Sequence, residues 1–199
     1  MKKLKEDLAN TIIINKSKFI TNLFSIKSED EINEKLKEIR KKYYDATHNV
    51  YAYILDDGKK QKCSDDGEPQ GTAGKPTLDV LIKNDLTDIL AITTRYFGGI
   101  KLGAGGLTRA YSNSVSEALE NATLIDKVTY ERYLINLTYP TYNRISDFLH
   151  EYQIFRETFS NDVSIIIGIN KNQVNIFKEQ IKNLTLGKLV ISYIDDIEI

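Results

Sequence analysis

The alternation of apolar and polar positions lays out the elements of this chain. Thr11-Ile12-Ile13-Ile14 and the stretch Lys18 to Ile26 are β-branched and aromatic, with Asn15-Lys16-Ser17 as a turn between them, which predicts a hairpin. Ser28-Glu29-Asp30-Glu31 is a helix-start signature with acids in the first turn. Ile32, Leu36, Ile39 and Tyr43 follow at spacings of four, three and four, so one helical face is apolar and the other carries Lys and Glu. Val50 to Leu55 and Ile89 to Thr94 read as buried strands. Asp56 to Lys75, between them, reads as one long polar loop, and Pro76 suits the first turn of a short helix with Leu78, Leu81 and Ile82 on one face. Five glycines fall between Gly98 and Gly106, and a helix starting near Gly105 turns Leu107, Ala110, Tyr111, Ser114, Val115, Ala118 and Leu119 inward.

The pattern changes in the second half. Tyr130 to Tyr139 reads as a strand, and Pro140 opens a helix that aligns Ile145, Phe148, Leu149 and Tyr152. Ile154–Ser160 and Val163–Asn170 read as paired strands around Asn161-Asp162. Val174, Phe177, Ile181 and Leu184 mark a second helix, Gly187 stops it, and Lys188 to Ile197 is a last strand. The order β-α-β-β-α-β predicts a ferredoxin-like domain over 129–199, behind a first domain over 1–125. The fold class is therefore α+β. This half has no Cys and no Gly cluster, so it reads as an interaction module.

Composition narrows the class. The chain has 199 residues, 41% of them hydrophobic, enough to bury a core without disulfides or metal. The single cysteine, Cys63, has no partner in the chain and suits a reducing compartment. No apolar run approaches the ~20 residues of a membrane span. The opening MKKLKEDLAN lacks the apolar stretch of a secretory signal, so the expected location is the cytoplasm. Net charge is -1; residues 1–125 carry 19 basic and 18 acidic side chains, the remainder 8 and 10. Neither half has the basic excess of a dedicated DNA binder, so any nucleic-acid contact has to use a local patch.

Three segments carry candidate chemistry. Lys62 to Pro76 places Asp65, Asp66 and Glu68 within four residues. Such carboxylates suit a Mg²⁺ site or acid–base work, but equally a turn with Asp caps and Gly at positive φ. Thr72, Gly74 and Lys75, at the start of the following helix, are candidate anion ligands. Thr94 to Tyr111 interleaves Gly98, Gly99, Gly103, Gly105 and Gly106 with Arg95, Lys101 and Arg109. Glycines let backbone amides approach an anion and arginine grips phosphate bidentately, so these residues are the candidate phosphate-binding set. Tight strand–helix packing is the competing explanation of the glycines. In Asp45 to Asn49, His48 is a candidate acid–base group or a satisfied structural histidine. Tyr51, Tyr96, Phe97 and Tyr111 are either stacking faces or core. Cys63 beside Lys62 lacks a neighbouring base and is a poor nucleophile candidate. No cofactor and no resident metal are expected.

Taken together, these segments resemble a known family. Ala46-Thr47-His48-Asn49-Val50-Tyr51-Ala52-Tyr53, the run Ser64 to Pro76, and the run Arg95 to Tyr111 look like the signature stretches of the IMPACT/YigZ family, in its bacterial two-domain form. Ser17-Lys18-Phe19-Ile20 resembles its N-terminal motif. Gln70 stands where Ser is usual and Thr108 where Val is common. The resemblance implies a first domain similar to the second domain of a small-subunit ribosomal protein, an α/β sandwich. It also implies a second domain similar to the last domain of elongation factor G. Eukaryotic relatives dampen the amino-acid-starvation kinase by competing for its ribosome-associated activator, and carry an RWD domain without counterpart here.

The expectation is a cytoplasmic, translation-associated regulator that binds RNA or the ribosome. The alternatives are an enzyme acting on a phosphorylated small molecule or nucleotide, with His48, Asp65, Asp66 or Glu68 in its chemistry, and an adaptor that binds a protein partner.

Overall fold

The computed structural model describes residues 1–198. They fall into two compact units, divided after Asp126. The first opens on a three-residue strand, β1 (Lys2–Leu4), and continues into the hairpin β2 (Leu8–Ile14) and β3 (Ser17–Ser25). Asn15 and Lys16 at its tip have φ of 47° and 65°, the doubly positive geometry that matches strand twist in a two-residue turn. Helix α1 (Glu29–Lys42) starts where the Ser28 Oγ accepts the Glu31 N–H, and Ile32, Leu36 and Ile39 are its buried stripe. Strands β4 (His48–Leu55) and β5 (Lys60–Ser64), helix α2 (Gly74–Lys83), strand β6 (Ile89–Tyr96), helix α3 (Gly103–Glu120) and a short β7 (Leu124–Asp126) complete the unit.

Two expectations need correction. The polar stretch after Leu55 is not all loop: Asp56 and Asp57 turn at positive φ and the chain returns as β5 along β4. Lys60, Gln61 and Lys62 of β5 are exposed, so this edge strand has no apolar alternation to betray it. Helix α3 also begins at Gly103, a half-turn earlier than its apolar residues suggest.

The five strands run β2-β3-β6-β4-β5, every neighbour antiparallel. Alternation gives the sheet two apolar faces. Leu23, Ala52, Ile54, Ile89 and Ala91 pack against Leu78 and Leu81 of α2 and Val115 and Ala118 of α3. Phe24, Tyr53, Leu55, Leu90 and Ile92 pack against the α1 stripe. At one end of the sheet, Phe19, Val50, Ala73, Leu107 and Tyr111 form a third cluster. β1 pairs separately with β7.

The second unit comprises β8 (Thr129–Leu137), α4 (Tyr139–Leu149), β9 (Gln153–Phe159), β10 (Val163–Asn170), a short 3-10 turn, α5 (Val174–Leu184) and β11 (Ile191–Glu198). Its sheet runs β11-β8-β10-β9, all antiparallel. Tyr133, Ile135, Ile165 and Ile167 of one face pack against Ile145, Leu149, Phe177 and Ile181 of the two helices. No helix among the described residues is long and apolar enough to cross a membrane.

Candidate functional site

The acidic loop is built by backbone hydrogen bonding. Asp65 accepts the N–H groups of Gly71 (2.8 Å), Ala73 (3.0 Å) and Gly74 (2.8 Å), so it ties off the start of α2. Burial opposes its charge, but these donors outweigh burial and hold its carboxyl below the usual range. Asp66 turns the other way. Its Oδ2 accepts the Asn49 N–H at 2.7 Å and its Oδ1 meets Arg40 at 3.3 Å. Gly74 is required for packing: a β-carbon there would stand 2.7 Å from the Ser64 backbone.

Glu68 alone of the three carboxylates points inward. Its side chain is 3% exposed and its Oε1 accepts from Arg95 (2.6 Å) and from the Tyr111 hydroxyl (2.8 Å). Burial, reinforced by the Glu68 charge, pushes the Tyr111 phenol far up, so it stays a donor. The Arg95 guanidinium lies between the rings of Phe19 (5.5 Å) and Phe97 (5.6 Å), reaches the Ser17 Oγ at 3.5 Å, and keeps a buried Nε without a partner. The His48 Nδ1 lies 2.8 Å from the Asp66 carbonyl oxygen. Its Nε2 stands 3.8 Å from the Glu68 Oε2.

Over this group runs the glycine loop. Gly98 donates its N–H to the Ser17 Oγ at 3.1 Å, Gly99 has φ of 83°, and Gly103 has φ of 69° at the first position of α3. Leu102, at the N-cap position, offers no side-chain cap, so the first-turn N–H groups of α3 lack an intrahelical partner. A cleft of about 290 Å³ opens here, with His48, Glu68 and Arg95 on its floor and Pro69, Phe97, Lys101, Leu102, Gly103 and Leu107 around it.

The structure thus gathers His48, Glu68, Arg95, Lys101 and Gly103 from the sequence candidates. Gly98 and Gly99 lie in the loop itself, and Gly105 and Gly106 in the first turns of α3. Arg95, a phosphate-ligand candidate in the sequence, is instead held in a buried ion pair with Glu68. Asp65 and Asp66 are spent on the backbone bonds above. Thr72 is buried and donates to the Pro69 carbonyl oxygen at 2.7 Å. Lys75 pairs with Asp79 and faces a separate groove between α2 and α3. Arg109 is exposed on α3 and does not line the cleft. Among the described residues no three His, Cys, Asp or Glu side chains are placed to hold a metal ion.

Of the aromatic candidates, Phe97 is half exposed and Tyr111 fully buried. Tyr51 packs at the α1 cluster. Tyr96 donates to Asp45, and burial together with that carboxylate pushes its phenol up to about 12. Burial pushes the Cys63 thiol up as well, away from thiolate chemistry. Sequence reasoning missed Pro69 and Leu102 as walls and Ser17 as the hydroxyl linking Gly98 to Arg95. Only the Ser17-Lys18-Phe19-Ile20 motif carried a signal for the last.

The Impact N-terminal domain family matches residues 15–119. The chain is 40% identical over 188 residues to IMPACT family member YvyE of Bacillus subtilis, across 93% of this chain and 87% of that protein. It is 31% identical over 188 residues to IMPACT family member YigZ of Escherichia coli, across 92% of each. A solved structure described as that of an hypothetical protein aligns at 29% identity with a TM-score of 0.64, covering 98% of this chain and 97% of the other. With a domain match over more than half its length and relatives matched nearly end to end, the chain belongs to the IMPACT family.

Proposed function

We propose that the chain is a cytoplasmic, translation-associated regulator that contacts RNA or the ribosome through the cleft face of its first unit. The observation that carries this reading is convergence. Three segments distant in sequence, around His48, around Glu68 and from Phe97 to Leu107, meet at one cleft. Exposed Lys101 and the uncapped first turn of α3 stand at its rim and suit a phosphate. Half-exposed Phe97 suits stacking. A net charge of -1 favours contact with a few phosphates over a long track.

The finer fold reading is part of the proposal. An antiparallel sheet carrying α2 and α3 on one face supports likeness to the second domain of a small-subunit ribosomal protein. The order β11-β8-β10-β9 under α4 and α5 supports a ferredoxin-like second unit, similar to the last domain of elongation factor G. The translational setting rests on the family resemblance.

The test is a titration of short labelled RNA at two salt concentrations with wild type, Lys101→Glu and Arg109→Ala. Lys101→Glu is expected to bind more weakly, most of all at low salt, and Arg109→Ala, whose side chain lies outside the cleft, to bind nearly as wild type. Identical curves from three folded proteins would remove the RNA reading and pass this face to a protein partner.

A second reading, an enzyme acting on a phosphorylated small molecule, is favoured by the His48 Nε2 facing Glu68 in the cleft. It requires turnover of such a substrate that His48→Ala abolishes with the fold intact.

A further inference from the structure

We infer that the cleft is a guanine site, holding one unpaired guanine with its phosphate at the rim. The inference rests on the RNA reading above and names the base that the cleft selects.

A backbone carbonyl oxygen only accepts, so the 2.8 Å contact between the His48 Nδ1 and the Asp66 carbonyl places the imidazole proton on Nδ1. With the ring uncharged, which the inference requires, the Nε2 is then an acceptor. It stands 3.8 Å from the Glu68 Oε2, beyond hydrogen-bond range. Both Glu68 donors, Arg95 and Tyr111, go to Oε1, and Oε2 accepts no hydrogen bond among the described residues. The floor therefore presents two neighbouring acceptors, one on a carboxylate whose side chain is 3% exposed. Two acceptors side by side on the cleft floor match a ligand with two adjacent donors.

The surrounding surface restricts that ligand further. Phe97, Pro69, Leu102 and Leu107 give apolar walls, and Phe97 is backed by the Arg95 guanidinium at 5.6 Å. A flat ring fits between such walls, and a volume of about 290 Å³ holds one nucleotide and excludes a base pair. Lys101 and the N–H groups at Gly103 supply the counterpart of a phosphate.

Among the four RNA bases only guanine carries two adjacent donors on its pairing edge, the ring N1–H and the exocyclic 2-amino group. Adenine and cytosine offer one donor beside an acceptor, and uracil one donor between two acceptors. Each of these leaves one floor acceptor facing a lone pair.

The test is calorimetric titration of the full chain with GMP, IMP, AMP, CMP and UMP, beside a short RNA of mixed sequence. GMP is expected to bind. IMP, which lacks only the 2-amino donor, is expected to bind about tenfold or more weakly, the loss expected for one hydrogen bond to a charged acceptor. AMP, CMP and UMP are expected to fall below IMP. His48→Phe, which keeps a ring but removes the acceptor, is expected to bring GMP down to the level of IMP or lower. Should that variant not fold, the nucleotide series on wild type decides alone. Equal binding of GMP and IMP, or of all the nucleotides, overturns the guanine assignment and leaves RNA binding standing. Binding of the mixed RNA without any GMP binding does the same. Failure of every nucleotide and of the RNA overturns both.

Discussion

Gly98 and Lys16 meet backbone to backbone: a β-carbon on Gly98 would stand 2.0 Å from the Lys16 carbonyl carbon and 2.1 Å from its oxygen. The glycine loop is therefore seated on the tip of the β2–β3 hairpin, and the contact fixes where the cleft opens. No rotamer change relieves a clash between two main chains.

Gly98→Ala is expected to destabilise the first unit by about 1–3 kcal/mol or more, read as a lower urea midpoint. Gly105→Ala is the matched control. A β-carbon there meets nothing within 4 Å, and Ala in place of helical Gly is expected to stabilise by about 0.5–1 kcal/mol.

Removing one member of the Glu68–Arg95 pair strands a buried charge, both side chains being under a tenth exposed. Glu68→Ala is expected to cost about 3–5 kcal/mol. The double variant Glu68→Leu with Arg95→Met is expected to recover most of it, because an apolar pair of similar volume replaces an ionic one. Chemical denaturation of wild type, Glu68→Leu, Arg95→Met and the double variant gives the coupling.

Acid should act through Asp65. Its carboxyl is held below the ordinary 3.8, so the unfolded chain binds its proton more readily than the folded one. The stabilisation is complete above the unfolded value and is lost as pH falls from about 4 through the lower folded value. Asp65→Asn is expected to be less stable than wild type at neutral pH and to lose less on acidification through that window. Equal slopes for the two proteins in urea melts from pH 5 to pH 2 would contradict this.

Charge reversal should separate the cleft from the groove between α2 and α3. Lys101→Glu is expected to weaken RNA binding by about 1.5–3 kcal/mol at low salt, through loss of a charge-assisted contact and repulsion. Lys75→Glu, at a residue paired with Asp79 and facing the other groove, is expected to leave it unchanged. Binding isotherms for the two variants make the comparison.

Helix α1 was legible because its apolar stripe repeats at helical spacing and its start is capped by a side chain. Strand β5 was not, because an exposed edge leaves its Lys and Gln without an apolar partner row. The cleft was half legible. Glycines and cations marked the loop, yet a cation counted along the sequence carries no sign of its depth. Arg95 lies in β6 with Phe19 and His48 as its register neighbours, in the interior of the sheet, and its counter-charge arrives from a loop. The carboxylates failed for a related reason: a cluster in sequence says nothing of direction, and three neighbouring acids turn to three different destinations.

Asp65 and Asp66 also have a consequence for the kinetics and thermodynamics of recognition. They moor the segment before Glu68 at both sides, one to the head of α2 and the other to the start of β4. The carboxylate is thus positioned before any ligand arrives. A guest entering the cleft has little chain entropy to quench at the floor, so a larger share of its contact energy appears as affinity. Cutting either mooring would leave every contact residue in place and still slacken the grip, as a faster off-rate.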